Sequence, residues 1–293
     1  MSHKVLFYSL LISLLLFSLF LFYHFHSGKN DLQVNFLDVG QGDSILIETP
    51  YGQNILIDGG PDDKVLTALG RNLPFWDRTV DLMVLTHPHG DHVTGLVEVL
   101  DKYKVGRVIH GGIEYSSLVY DKWKERVSTG AGEEIIIQSP QTIRLGENCS
   151  LKILYPKNSI QNKKIDNLNN SSLVSKLDCR DVDFLLTGDI ESGPKKELVA
   201  SNADLEADVL KLSHHGARED LNGEFIEKVS PEIAVVSVGE NDYGHPNEEY
   251  LQELRDAGIK VLRTDKKGTI IFTKNKKEAS VDFGGYNWKD IFY

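Results

Sequence analysis

The stretch Thr86-His87-Pro88-His89-Gly90-Asp91-His92 places three histidines and one aspartate within six residues. It follows residues 80–85, whose apolar run predicts a buried strand. His87 and His89 alternate along an extended segment, so their rings project to the same side, and Asp91 and His92 lie in the next turn. Imidazole nitrogens with a carboxylate oxygen suit Zn²⁺, with Mn²⁺ or iron as competitors. Four candidate ligands exceed what one tetrahedral site takes while keeping a place for water. This stretch therefore predicts two adjacent metal ions.

Further candidate ligands follow other predicted strands. Asp189 comes shortly after the strand predicted at 184–187, His214 and His215 follow the one at 208–212, and His245 lies in a later Gly-His-Pro sequence. Taken alone, Asp189 is equally well explained as the cap of the next helix. Ligands gather at the carboxyl ends of strands in α/β sheets, so the joint occurrence of these residues favours one site.

Short strands and helices alternate along both halves of the chain. Hydrophobic periodicity predicts strands at 33–37, 44–48, 54–57, 80–85, 134–138, 151–154, 172–177, 184–187, 208–212, 233–238, 259–263 and 269–273. Helices are predicted at 62–73, from Asp91 onward, and at 193–200, 221–228 and 247–257. The Lys- and Asn-rich residues 156–170 are expected to form a solvated loop. Two similar halves predict an α/β sandwich of two sheets with helices outside.

Charge and cysteine content narrow the function classes. The 293 residues carry 43 acidic against 32 basic side chains, a net charge of −11. An acidic surface repels phosphate backbones and argues against tight non-specific nucleic-acid binding, although bound dications would offset carboxylates locally. Only two cysteines are present, Cys149 and Cys179, which excludes a Cys-rich zinc module and a disulfide framework. Whether these two pair stays open, because they could also be buried thiols.

The N-terminal residues 5–23 contain no charged side chain and are mostly Leu, Phe and Ile. At helical rise this length matches the hydrocarbon thickness of a bilayer, and Lys4 before it favours a cytoplasmic N-terminus. A cleaved signal peptide is the competing interpretation, but the run exits through Tyr23-His24-Phe25-His26, which is poor cleavage chemistry. We predict a single-pass cell-membrane anchor with the remaining chain outside the cytoplasm, or a secreted domain if the segment is cleaved.

Several motifs together resemble one family. Thr86–His92 resembles the His-x-His-x-Asp-His signature of the metallo-β-lactamase superfamily, with Asp58-Gly59-Gly60 similar to its first motif and Thr187-Gly188-Asp189 to its bridging-aspartate motif. The likeness is greatest to the hydrolase-like C-terminal domain of the ComEC/Rec2 competence proteins and its stand-alone relatives. It rests on the motifs Asp38-Val39-Gly40-Gln41-Gly42-Asp43-Ser44, Asn169-Asn170-Ser171-Ser172-Leu173-Val174, Ser213-His214-His215-Gly216 and Ser237-Val238-Gly239-Glu240-Asn241-Asp242-Tyr243-Gly244-His245-Pro246. It covers about residues 32–274.

The resemblance implies a four-layer αβ/βα sandwich with a two-metal cleft at one sheet edge. Carried over by position, the first metal would be held by His87 and His89, the second by Asp91 and His92, and both by a bridging Asp189. His245 would be a late ligand of the second metal. His214 would be the member of its pair that faces the metals or the substrate, with His215 as the alternative.

Two departures from the family pattern concern the site. Superfamily members commonly supply a third histidine to the first metal where this sequence has Asn169-Asn170-Ser171-Ser172. ComEC-type domains are similar to this chain in having asparagine there, which suggests Asn170 as a weak ligand or a substrate contact, and Tyr243 is a second candidate contact. The relatives' His-His-Gly-Ser reads His-His-Gly-Ala217 here, so one hydroxyl is missing. The many-helix channel domain of ComEC has no counterpart in this sequence, so we do not expect the chain to conduct DNA.

These features predict a metallo-hydrolase with a membrane anchor and linker at 1–30, a hydrolase domain at 31–275 and a C-terminal tail at 276–293. Two Zn²⁺ ions, with Mn²⁺ as the alternative, would activate water near neutral pH and stabilise the attacking and leaving oxygens. Asp91 or Asp189 would orient the nucleophile, and His214 or His215 would protonate the leaving group. The expected substrate is a phosphodiester, in DNA or in an envelope ester, and no obligate protein partner is inferred. The alternative is a metal-binding, catalytically weak accessory or receptor domain at the membrane.

Overall fold

The strands of the protein form two sheets. A computed structural model describes residues 3–27, 31–218, 223–275, 278–283 and 286–289. The first sheet has the order β16-β15-β14-β1-β2-β3-β4-β5-β6, with β1 Leu32–Phe36, β2 Ile45–Glu48, β3 Asn54–Ile57, β4 Thr79–Val84, β5 Lys104–His110, β6 Glu133–Ile136, β14 Ile270–Lys274, β15 Ala279–Phe283 and β16 Tyr286–Lys289. The second has the order β13-β12-β11-β10-β9-β8-β7, with β7 Gln141–Gly146, β8 Cys149–Tyr155, β9 Val174–Cys179, β10 Val182–Leu186, β11 Val209–Lys211, β12 Ile233–Val236 and β13 Lys260–Arg263.

The described helices are α1 His3–Ser27, α2 Lys64–Asn72, α3 Gly90–Lys102, α4 Leu118–Gly130, α5 Ser192–Val199, α6 Gly223–Val229, α7 Glu248–Asp256 and α8 Thr264–Lys267. Helices α2–α4 and α5–α7 cover the outer faces of the two sheets. Between the sheets lies an apolar core in which the rings of Phe36 and Phe184 both meet Phe272 edge-on. A second apolar cluster joins the first sheet to α2–α4, and a third joins the second sheet to α5–α7. The predicted four-layer αβ/βα sandwich is confirmed.

Strand direction brings the candidate ligands to one edge of this sandwich. β3, β4, β5 and β6 run parallel to one another in the first sheet, as do β10, β11, β12 and β13 in the second. The carboxyl ends of parallel strands open at the same edge of a sheet. The loops that follow β3, β4, β10, β11 and β12 therefore meet, and these loops carry the motifs singled out above.

The domain boundary predicted at residue 275 does not end the sheet. β15 pairs antiparallel with β14, and β16 pairs with β15, so the described part of the predicted tail extends the first sheet. The reason is visible in β15, where Ala279, Val281 and Phe283 alternate with polar residues and are buried. This period of two is a strand signal that the tail assignment overlooked.

The loop predicted at 156–170 is not solvated throughout. Leu168–Ser171 forms one turn of 3₁₀ helix, in which Asn169 is buried. The hydroxyls of Ser171 and Ser172 donate back to the carbonyls of Leu168 and Asn169 at 2.6 and 2.7 Å. The polar side chains at the end of this loop thus bond within the protein, because they close a tight turn.

The two cysteines lie opposite each other on neighbouring strands. Cys149 in β8 is paired with Cys179 in β9, both are buried, and they form a disulfide. The pairing that the sequence left open is thus present, because the register of two antiparallel strands puts the thiols side by side.

The predicted membrane segment, residues 5–23, lies inside α1 (His3–Ser27). In the described portion of the chain, no helix combines the length and the apolar character that crossing a bilayer requires.

Candidate metal centre

Five strands end at the candidate site, and each is followed by one of its polar groups. Asp58 follows β3, His87 follows β4, Asp189 follows β10, His215 follows β11 and Ser237 follows β12. All five side chains are buried. Buried polar groups require partners, so these residues must satisfy one another or a ligand.

Four donor atoms at this edge form a compact group, here called the second site: Asp91 Oδ2, His92 Nε2, Asp189 Oδ2 and His215 Nε2. His92 lies 3.2 Å from Asp189 and 3.9 Å from Asp91, and His215 lies 3.2 Å from Asp91 and 3.5 Å from Asp189. Ligands of one tetrahedral Zn²⁺ with bonds of about 2.0–2.2 Å stand roughly 3.3 Å apart. The group therefore fits a single divalent ion, with two nitrogen and two oxygen donors.

Hydrogen bonds on the far side of both rings aim their Nε2 atoms into the second site. His92 Nδ1 donates to Asp58 Oδ2 at 2.8 Å, and His215 Nδ1 donates to the carbonyl of Ser237 at 2.9 Å. A neutral imidazole that donates through Nδ1 carries its lone pair on Nε2. Such outer partners fix the tautomer and orientation of ligating histidines in metal sites.

A relay through Thr86 orients His87 in the same way. Thr86 Oγ1 donates to Asp58 Oδ2 at 2.7 Å, and the Thr86 N–H donates to Asp58 Oδ1 at 2.8 Å. Because the hydroxyl hydrogen is used there, Oγ1 accepts from His87 Nδ1, which lies 3.2 Å away. The lone pair of a neutral His87 is then on Nε2, which lies 3.9 Å from Asp189 Oδ2. Asp58 thus orients two candidate ligands at once.

His87 and His89 form a second pair of donors beside the second site. His87 Nε2 lies 3.0 Å from His89 Nδ1, close to the spacing of two nitrogens on one ion. His87 is buried and His89 is half-buried at the cleft. We call His87, His89 and Asp189 the first site, and Asp189 Oδ2 is within 4 Å of donors in both sites.

A buried lysine lies under the centre. The side chain of Lys211 is fully buried, and its Nζ is in close contact with Asp43 and lies 3.6 Å from Asp189 Oδ1. It also donates to the carbonyl of Gly188 at 3.3 Å. Asp43, Asp58 and His92 are close enough to form a further donor group, but the Lys211 ammonium already balances the charge of Asp43.

The backbone at the site adopts conformations that most residues avoid. His214 and His215 have φ of 49° and 55° in the turn Ser213–Gly216, which is the left-handed region. Strain of this kind persists where the surrounding structure holds it and is common at functional sites. Here it directs His215 into the second site and His214 to the wall of the cleft.

The glycines of two motifs let α3 approach the first sheet. A Cβ on Gly59 would lie 2.3 Å from the backbone N of Leu96, and one on Gly42 would lie 2.3 Å from the carbonyl O of Asp91. Such distances are impossible for a side-chain carbon. Gly42 and Gly59 are therefore required because any side chain there would push away the first turns of α3, which carry Asp91 and His92.

An open cleft of about 800 Å³ lies above these residues. It is lined by His89, Asp91, His214, His215, His245 and Tyr243, and by the acidic Glu240 and Asp242. Of the side chains singled out in the sequence, His245 lies outside the second site, with its ring 5.1 Å from that of His214 and 6.4 Å from that of His215. Tyr243 is 77% exposed at the mouth of the cleft. His215 therefore stands where the sequence suggested His245.

The asparagine segment is also arranged differently from the expectation. Asn170 Oδ1 accepts from the backbone N–H of Glu191 at 3.0 Å, so its side chain braces a loop. Its neighbour Asn169 is buried, donates to Glu191 Oε1 at 2.9 Å and lies 3.5 Å from His214 Nε2. Asn169 rather than Asn170 is therefore the amide beside the candidate ligands.

The histidines of the two sites fall into two classes according to the direction in which their pKa is shifted. Burial lowers the pKa of His87 well below its ordinary value, and it also lowers the pKa of His89. Burial acts in the same direction on His92, but the carboxylates of Asp189, Asp58 and Asp91 raise its pKa well above the ordinary value. For His215, too, Asp189 and the hydrogen bond to Asp91 outweigh burial and raise the pKa. Without an ion, the second site thus holds protons that neutralise its carboxylates.

A sequence model of the metallo-beta-lactamase superfamily matches residues 37–240, which include every donor of both sites. The chain belongs to the metallo-beta-lactamase superfamily. Among solved structures it is similar to the metallo-beta-lactamase fold protein YhfI from Bacillus subtilis, at 12% identity and a TM-score of 0.53, over 83% of this chain and 100% of that one. It is also similar to CmlA, a diiron beta-hydroxylase from Streptomyces venezuelae, at 15% identity and a TM-score of 0.51, over 84% of this chain and 54% of that one. At these identities the likeness shows the fold alone.

Curated relatives are competence and recombination proteins. The chain is 29% identical to ComE operon protein 3 of Bacillus subtilis (strain 168), over 93% of this chain and 37% of that protein. It is 30% identical to Competence protein ComA of Neisseria gonorrhoeae, over 83% of this chain and 32% of that protein. The predicted resemblance to competence proteins is confirmed, and the chain spans about a third of the length of these relatives.

Sequence reasoning did not assign a role to Lys211, Glu191 or Asn169. Lys211 had a local signal, since a single cation interrupts the apolar run Val209-Leu210-Lys211-Leu212 just before the histidine pair. A lysine in a fully buried strand almost always has a charged partner. Glu191 had no such signal, because its partners Asn167 and Asn169 are more than 20 residues away in sequence.

Ion binding to the second site is expected to release protons near neutral pH. A metal requires neutral imidazoles, and the raised pKa values of His92 and His215 mean that these rings carry protons in the metal-free protein. Apparent affinity should therefore rise with pH up to the raised pKa values, by about tenfold per pH unit for each proton released. Calorimetric Zn²⁺ titrations in two buffers of different ionisation enthalpy measure the number of protons released per bound ion. Release of no protons at pH 6–7 would contradict the assignment of His92 and His215 as ligands.

Proposed function

We propose that this protein is a metal-dependent hydrolase with two metal ions, Zn²⁺ or Mn²⁺, that cleaves phosphodiesters outside the cytoplasmic membrane. The observation that carries the proposal is the second site, whose four donor atoms are spaced for one divalent ion at an open cleft. The first site shares Asp189 with it and supports a second ion. Two adjacent ions supply a water nucleophile near neutral pH and stabilise the attacking and leaving oxygens.

The side chains at the cleft have separate roles in this proposal. Asp91 is one-third exposed and carries a carboxylate to the cleft, where it would orient the attacking water. His214 lies on the cleft wall with Nδ1 3.9 Å from Glu191 Oε1. From this position His214 would give a proton to the leaving oxygen. Within the second site, His215 acts as a ligand and leaves proton donation to its neighbour.

The cleft lining favours a substrate whose negative charge is bound by the metal ions. None of the described residues that line the cleft is a lysine or arginine, and Glu240 and Asp242 add negative charge. Neutralisation of a phosphodiester therefore depends on the ions. The competence proteins that resemble the chain favour DNA as this substrate, and the exposed ring of Tyr243 offers a surface on which a base can stack. An envelope phosphoester is the second substrate class, because attachment of α1 to the membrane would hold the cleft close to the cell envelope.

Two features support a location outside the cytoplasm. The apolar side chains of α1 between Val5 and Phe20 are 48–61% exposed, which suits contact with lipid. The disulfide between Cys149 and Cys179 is the kind of bond that persists in oxidising compartments. We therefore propose that α1 attaches the domain to the outer face of the cell membrane.

The proposal is tested with the full chain in detergent, stripped with a chelator and reloaded with Zn²⁺ or Mn²⁺. Bis(p-nitrophenyl) phosphate, single- and double-stranded DNA and a glycerol-phosphate polymer are compared as substrates. Reloading should restore hydrolysis, and Asp91→Ala should lower it at least about a hundredfold because it removes a ligand at the cleft. On intact cells carrying the chain, an added impermeant diester should be cut as fast as after lysis.

Asp101→Ala is the matched control for Asp91→Ala. Both residues lie on α3 with side chains 33% exposed, but Asp101 pairs with Arg126 away from the cleft. Its replacement should leave hydrolysis unchanged. If the metal-loaded chain cut none of these substrates, the hydrolase proposal would be wrong, and the alternative of a metal-binding accessory or receptor domain would take its place. Activity that appeared only after lysis would contradict the location.

A further inference from the structure

The side-chain oxygen of Asn169 is buried without a hydrogen-bond partner. Asn169 is 7% exposed, and its Oδ1 is buried in the turn Leu168–Ser171. Buried carbonyl oxygens are normally paired, because leaving one unpaired sacrifices its interaction with water. This oxygen lies in a site built from donors that fit metal ions, which makes an ion a suitable partner for it.

The orientation of this amide is fixed by Glu191. Asn169 Nδ2 donates to Glu191 Oε1 at 2.9 Å, and Asn167 Nδ2 donates to Glu191 Oε2 at 2.8 Å. A carboxylate can only accept, so the nitrogen of Asn169 must face Glu191 and the oxygen must face away. The backbone N–H of Asn169 donates to Asn167 Oδ1 at 3.0 Å and holds the turn. Asn169 is therefore presented in one orientation before any ligand binds.

The amide is next to the first site. The Asn169 side chain lies beside His89, whose Nδ1 lies 3.0 Å from His87 Nε2. Asp189 Oδ2 lies 3.9 Å from the same His87 nitrogen. These three residues supply two nitrogens and one oxygen, one donor fewer than the four residues of the second site.

We propose that Asn169 Oδ1 completes the first site, with His87, His89 and Asp189 as the other ligands. The inference rests on the proposed function only in assuming a metal at the first site. An amide oxygen is a neutral, hard donor, whereas the second site has two imidazoles and two carboxylates. The first site therefore binds its ion more weakly than the second site and favours Mn²⁺ more than the second site does. Glu191 is a positioning residue for this ligand.

The test measures metal binding by full-length protein in detergent, without reference to activity. Calorimetric titration with Zn²⁺ or Mn²⁺, checked by elemental analysis, should resolve a tighter and a weaker ion in the unmodified chain. Asn169→Ala should weaken binding of the weaker ion, the one at the first site, by at least about tenfold. This is the scale on which residues that support a metal site affect metal affinity. Asn169→His should strengthen Zn²⁺ at the weaker position relative to Mn²⁺, because imidazole is the better ligand for zinc.

Asn170 provides the matched control, because it is the adjacent residue of the same type and its side chain faces the backbone of Glu191. Asn170→Ala and Asn170→His should change the affinity of the weaker ion much less than the Asn169 variants do, because they alter a brace on Glu191 and no candidate ligand. Unchanged affinity of the tighter ion in Asn169→Ala shows that the variant is folded.

The outcomes of these titrations separate this inference from the proposed function. Two ions bound by Asn169→Ala with unmodified affinities would overturn the inference, as would equal weakening in the Asn169 and Asn170 variants. One ion per unmodified chain would overturn it and leave a one-metal hydrolase open to the activity test. Two ions with the expected Asn169 dependence, but no hydrolysis, would support the inference and contradict the proposed function.

Discussion

Asp189→Asn is expected to slow metal-supported hydrolysis by about a thousandfold, which corresponds to a loss of about 4 kcal/mol of transition-state stabilisation. The same change should weaken both metal ions. Asp189 Oδ2 lies 3.2 Å from His92 Nε2, 3.5 Å from His215 Nε2 and 3.9 Å from His87 Nε2, so it is shared by the two sites. Asparagine keeps the size of the side chain but removes its charge, so the change isolates the contribution of the bridging carboxylate.

Rates and the number of bound ions would be measured on the full chain, with Asp183→Asn as the control. Asp183 is the second residue of β10, the strand that leads to Asp189, and it pairs with Lys176 at 2.8 Å. It therefore reproduces the loss of a lysine–aspartate pair without touching the site. Asp189→Asn protein that kept both ions and its full rate would show that the ions bind elsewhere.

Lys211→Met is expected to destabilise the metal-free protein by about 3–5 kcal/mol, the range for removing one partner of a buried ion pair. Lys211 is fully buried against Asp43 and Asp189, which are 3% and 2% exposed. Burial alone would lower the pKa of Lys211, but Asp43 and Asp189 raise it above its ordinary value, so the lysine stays charged. Without it, two carboxylates remain buried with less positive charge nearby. Bound metal should reduce the loss, because an ion replaces part of that charge.

Urea unfolding of the full chain, with chelator and with Zn²⁺, measures this effect. Lys176→Met is the control, since Lys176 is also 2% exposed but its partners Asp183 and Asp204 are 30% and 59% exposed. Water can solvate these carboxylates, so the control should lose only about 1 kcal/mol, independently of metal. Equal losses in the two variants would contradict a special role for Lys211. Asp43→Asn combined with Lys211→Met should recover part of the stability.

Much of the fold could be predicted from local patterns. The strand predicted at 184–187 corresponds to β10, Val182–Leu186, and the helix predicted at 247–257 corresponds to α7, Glu248–Asp256. Periodicity is reliable here because one face of each element is buried. The C-terminal strands β15 and β16 were missed, because alternation over so short a segment forms a strand only where a neighbouring strand pairs with it. Polar composition suggested a solvated loop up to residue 170, although a polar turn can also bond internally.

The site was predictable in its chemistry and less so in its details. The spacing of His87, His89, Asp91 and His92 by itself predicted metal ligands, and the structure places them beside Asp189. Local spacing is sufficient there because one strand end and one helix start carry all four.

The Thr86–His92 stretch determined by itself that the chain carries metal-ligand chemistry at a strand-to-helix junction, because residues so close in sequence must lie close in space. Only the tertiary structure decided which neighbour lies beside the candidate ligands: His215 rather than His214 or His245, and Asn169 rather than Asn170. Adjacent side chains leave the backbone in different directions. Which of them faces the site depends on contacts with residues that are distant in sequence. Glu191 orients Asn169, the carbonyl of Ser237 orients His215, and Lys211 reaches Asp189 from the next strand.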